Sequence, residues 1–65
     1  MMMSEADMQF MKDMTANNKA CIATAQEYLQ GSPADHLASV TAMARTCITD
    51  STAENTKMAA MMKTG

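Results

Sequence analysis

Six methionines fall into two groups at helical spacing, Met8, Met11, Met14 and Met58, Met61, Met62. Thioether sulfur is a soft neutral donor, and a cluster of such donors suits Cu(I) or a similar soft ion. Met8, Met11, Met14, Met58 and Met61 form the candidate ligand set, with the thiols of Cys21 and Cys47 as further soft donors. The competing role is core filling, because any buried helix face shows three- and four-residue spacing. Met1, Met2 and Met3 are left out of the set.

Cys21 and Cys47 admit several states. Bridged within the chain, they would close a 27-residue loop counting both ends. Such a bridge is worth about 3 to 4 kcal/mol when unstrained. If both helices start level at the turn, Cys47 lies about five residues farther from it than Cys21, an offset of roughly 7 Å. That offset makes an intrachain bridge awkward unless the helices stagger. A bond across a dimer is a second option, and two buried free thiols are the plainer one. As metal ligands they would need partners, and no Cys-x-x-Cys or His spacing supplies them.

Other chemistry is sparse. His36 is the sole histidine, and no nucleophile and base are arranged around it. The carboxylates are scattered, and the Glu-x-x-His pattern of di-iron bundles is absent. The expectation is that the protein is not an enzyme. Five basic residues stand against seven acidic ones, net −2, with no Lys or Arg run to attract nucleic acid. No apolar stretch approaches the roughly 18 residues that span a bilayer, so neither membrane nor nucleic acid is an expected partner. Met1–Glu5 lacks the regions of a signal peptide, which leaves the compartment open.

The elements that must position these side chains are helical. Twelve Ala and ten Met against two Gly and one Pro favour an all-α chain, and Phe10 and Tyr28 are its only aromatic residues. Turn signals coincide at Gly31-Ser32-Pro33-Ala34-Asp35: Gly suits a left-handed C-terminal position, Ser a cap, and Pro the first helical residue. The expected order is one domain over residues 1–65, with a helix over about 5–30, a turn at 31–33, and a helix over about 33–63. Ser4 is the expected cap of the first helix, with Glu5 and Asp7 in its first turn.

The Thr-rich stretch from Thr46 to Thr56 weakens the second helix, and Ser51-Thr52-Ala53-Glu54 matches a capping box. A break near Asp50 would give a monomeric three-helix bundle. With no Gly or Pro to enforce a stop, the continuous helix is preferred. A first helix of roughly 39 Å is too long to bury its face within so small a monomer. Two hairpins pairing as an antiparallel four-helix bundle, a homodimer, solve this. Folding about residue 32 puts Asn17, Asn18 and Thr15 level with Cys47, Asp50 and Ser51, and both methionine groups at one end.

Asp7, Phe10, Met11 and Met14, followed by Ile22 and Ala25, resemble a known pattern. It belongs to small ferritin-like helical domains of bacterial extracytoplasmic proteins, some of them copper-binding, and reads D-x-x-F-(I/M)-x-x-M-x-x-H-H. Leu37, Ala44, Ile48 and Met58 occupy second-helix positions of that family. The family's paired histidines fall here at Asn17 and Asn18, and its next methionine at Thr24, so the usual site would lose its strongest ligands. A weaker similarity is to cysteine-lined four-helix copper-storage bundles, of whose thiol rows only Cys21 and Cys47 remain. Both resemblances imply copper as the cofactor and, for the first, an extracytoplasmic setting. The expected function is a Cu(I)-type binding or storage module, the alternative a non-catalytic self-associating scaffold.

Overall fold

A computed structural model describes residues 3–64 and consists of two long helices, α1 over Glu5–Leu29 and α2 over Ala38–Thr64. They run antiparallel and pack along their length as a hairpin of 50 × 15 × 14 Å. The expected all-α hairpin is present.

Ser4 starts α1 as expected. Its Oγ accepts the Asp7 backbone N–H at 3.1 Å, and its own N–H donates to Asp7 Oδ2 at 3.4 Å, a reciprocal capping box. The far end closes without a left-handed residue: the Gln30 N–H reaches Gln26 and Glu27, and the Gly31 N–H reaches Tyr28. No residue among those described has positive φ, so Gly31 does not hold the left-handed position assigned to it from sequence. Space is a better reason for glycine there. A Cβ on Gly31 would lie 3.1 Å from His36 Nε2, because the His36 ring stacks on Tyr28 with centroids 4.0 Å apart.

The connection is longer than the sequence suggests. Pro33–Asp35 form only a 3-10 turn, and Ser32 makes no side-chain cap. His36 then takes an extended backbone, φ −110° and ψ 132°, which stops the turn from growing into a helix. α2 therefore begins at Ala38 rather than near Pro33, with the Leu37 carbonyl accepting from the Thr41 N–H. From there it runs unbroken through the Thr-rich stretch, which sets aside the break near Asp50. Thr56 turns its hydroxyl back onto the Thr52 carbonyl at 3.0 Å, so its polar group is satisfied within the helix.

The late start of α2 resets the register. Cys21 now lies eight residues before the end of α1, and Cys47 nine residues after the start of α2. The expected offset vanishes, their Cα atoms are 6.7 Å apart, and a disulfide joins them. The reading of two buried free thiols is corrected accordingly: Cys21 is exposed and Cys47 half-buried. The polar layer moves as well. Asn18 meets Glu54 and Asn55 instead of Cys47, Asp50 and Ser51.

Little of the seam is dry. Among the described residues the buried apolar side chains are Met11, Ala25 and Met58, and Asn18 is the buried polar one. Met14, Ile22, Leu29, Ala44, Ile48 and Met62 are half-buried beside them.

Candidate functional site

At the open end of the hairpin, away from the turn, members of the two methionine groups come together. A groove of about 480 Å³ is lined by Met3, Met11, Met14, Met58 and Met61, with Asp7, Phe10, Glu54 and Lys57 completing it. α1 supplies Met11 and Met14 three residues apart, and α2 supplies Met58 and Met61 at the same spacing, so each pair rides one helix face. Met11 and Met58 are 5 % and 6 % exposed, deep in the seam, whereas Met14 is half-buried and Met61 more open.

Four of the five methionines singled out from sequence thus share one site. Met8 does not share it. It lines a separate surface with Met3, Glu5, Gln9 and Lys12. Met3, left out at first, belongs to the groove; its position ahead of the Ser4 cap gives no periodic signal by which to find it.

Cys21 and Cys47 lie elsewhere. They line a second groove, also about 480 Å³, nearer the turn, with Ala20, Thr24, Ala25, Tyr28, Val40, Met43 and Ala44. Ten residues of α1 separate Cys21 from Met11, about 15 Å of helix, so the two grooves are distinct. Ser51 Oγ lies 3.9 Å from Cys47 Sγ; the bridged sulfur carries no hydrogen, so the hydroxyl is the donor.

Between the grooves sits a hydrogen-bonded clamp. Asn18 Nδ2 donates to Glu54 Oε1 at 2.8 Å and to Asn55 Oδ1 at 3.0 Å, and Asn55 Nδ2 reaches the Thr15 carbonyl at 3.5 Å. Thr15 in turn donates to the Met11 carbonyl at 2.7 Å. No buried side-chain N or O among the described residues lacks a partner. The sequence marked Asn18 and Thr15 as polar interruptions, but their partners required the true register. Asn17, the other position where the resembled family carries histidine, is exposed.

Among the described residues no group of three or more His, Cys, Asp or Glu side chains is placed to hold a metal, so a site for one would rest on thioethers. Among the described residues no helix is long and apolar enough to cross a membrane. The chain matches no family profile, no characterised protein and no solved structure.

Proposed function

We propose that this chain is a non-catalytic, self-associating helical module, two hairpins pairing into an antiparallel four-helix bundle. The observation that carries the reading is surface area. The hairpin exposes 5003 Å² for a mass of 7.0 kDa. A compact monomer of that mass exposes roughly 4,000 Å². The excess of roughly 1,000 Å² per chain matches the ~800 Å² that each partner contributes to an ordinary stable interface. Shape agrees: the radius of gyration is 14.8 Å, against about 11 Å for a compact chain of this length. Sedimentation equilibrium tests the reading. The expected mass is twice that of the chain, and a monomer at every concentration overturns it.

A second reading, soft-metal handling, is favoured by one observation: Met11, Met14, Met58 and Met61 line a single groove. Such a donor set fits Cu(I), which prefers polarisable sulfur to the oxygen and nitrogen ligands that the groove otherwise offers. In this role the four thioethers would hold the ion and the hairpin would fix their spacing. Met8 and the bridged Cys21 and Cys47 stand apart from it. Anaerobic titration with Cu(I) against a chromophoric chelator tests it, with stoichiometric uptake expected. Absence of competition would leave the methionines as packing.

A further inference from the structure

A two-helix hairpin has two broad faces flanking its seam, and self-association must choose one. We infer that a second copy of this chain docks on the face that carries the Cys21–Cys47 disulfide, covering it. This rests on the self-association proposed above and adds which surface the partner occupies.

Both grooves open on that one face. On α1, Phe10 lies 11 residues before Cys21 and 18 before Tyr28, about three and five whole turns, so the three stand in one row. On α2, Met43 and Met61 are likewise 18 residues apart. Phe10 and Met61 line the open-end groove, while Cys21, Tyr28 and Met43 line the turn-end groove. Two apolar patches therefore lie on one face of the rod, on either side of the Asn18–Glu54 clamp.

Exposure separates this face from the other. Of the five large apolar side chains left in solvent among the described residues, Phe10, Val40, Met43 and Met61 line these two grooves; Leu37 lies in the connection. Phe10 is 63 % and Met43 70 % exposed. Ile22, Leu29, Ile48 and Met62 lie off these rows and are half-buried. Four of those five exposed side chains thus lie on the cystine face, which is the surface an identical hairpin would cover.

Docking there has a chemical consequence. Cys21 is exposed in the single hairpin and open to attack by a thiolate. A second copy seated on this face would shield it, so the disulfide becomes harder to reduce as the chain associates.

The experiment follows the rate at which dithiothreitol reduces the oxidised full chain over a concentration series, with mass measured in parallel. The expected result is a several-fold fall in the rate constant as the mass doubles. Met43→Glu should hold the chain at monomer mass and restore the fast rate. Ala59→Glu serves as the control, since Ala59 lies 16 residues from Met43, about 160° around α2, and should change neither. A doubling of mass with a constant reduction rate overturns the inference but leaves self-association standing. A chain that stays monomeric overturns both. The unmodified chain alone decides between these outcomes should Met43→Glu lose helicity.

Discussion

Asn18 and Glu54 are joined across the seam, the Asn18 Nδ2 donating to Glu54 Oε1 at 2.8 Å from a buried side chain to an exposed one. A second bond from the same nitrogen reaches Asn55 Oδ1, so one amide ties α1 to two successive residues of α2. A polar contact inside an apolar seam specifies alignment, because sliding either helix strands the amide away from its acceptors.

Asn18→Ala removes that tie and is expected to cost about 1.5 to 3 kcal/mol in urea unfolding, the usual loss for a hydrogen bond to a charged partner. Asn18→Leu is expected to recover stability by burying apolar surface while losing uniqueness of alignment. Broadened amide resonances, with an unchanged or raised unfolding midpoint, are the outcome to look for. A sharp spectrum from Asn18→Leu would show that the seam aligns without the amide.

Met11 and Met58 are the deepest apolar side chains at the open end. Truncating either to Ala is expected to destabilise by about 2 to 3 kcal/mol, the low end for buried Met because the seam can partly collapse. Met11→Leu together with Met14→Leu keeps the volume and should leave helicity intact. If the groove holds Cu(I), that pair of changes abolishes uptake in the chelator competition, and unchanged uptake would move the site away from these sulfurs.

The Cys21–Cys47 bridge closes a 27-residue loop around the turn. Loop-closure entropy sets its contribution at about 3.5 kcal/mol. Replacing both cysteines by Ser should lower the thermal midpoint markedly, and circular dichroism melts of the two forms provide the comparison. Equal midpoints would show that the seam holds the turn half closed unaided.

Ser4→Ala removes the side-chain acceptor for the Asp7 N–H. The expected loss is about 1 kcal/mol, confined to the first turn of α1. Amide exchange should quicken there and remain unchanged beyond Met11. A uniform acceleration along α1 would mean that the cap sets the stability of the whole helix.

Helices were readable where local chemistry decides them. The Ser4 cap, the long apolar period of α1, and the absence of any Gly or Pro within α2 each point to what is found. The gathering of Met11, Met14, Met58 and Met61 followed from the same logic, since both groups lie far from the turn. The connection was harder. Ser32-Pro33 carries every sign of a helix start, yet His36 is extended and stacked on Tyr28, a contact between residues eight apart that no local pattern announces. That one displacement moved the cysteines opposite each other and gave Asn18 its partners. The choice between metal ligands and core filling cannot be made from spacing, because both uses of methionine share one period.

The cystine also divides the rod mechanically. Both helices have their outer ends on the same side, so tension applied there peels α1 from α2 one turn at a time instead of shearing them. Met11, Met58 and the Asn18 amide would yield in sequence, and the peeling would halt at the covalent link. Only the 33 helical residues outside it, Glu5 to Ala20 and Ile48 to Thr64, could be drawn out. Fully extended they span roughly 110 Å. Under such tension the bond limits how far the hairpin can open, and cutting it would lengthen the reach.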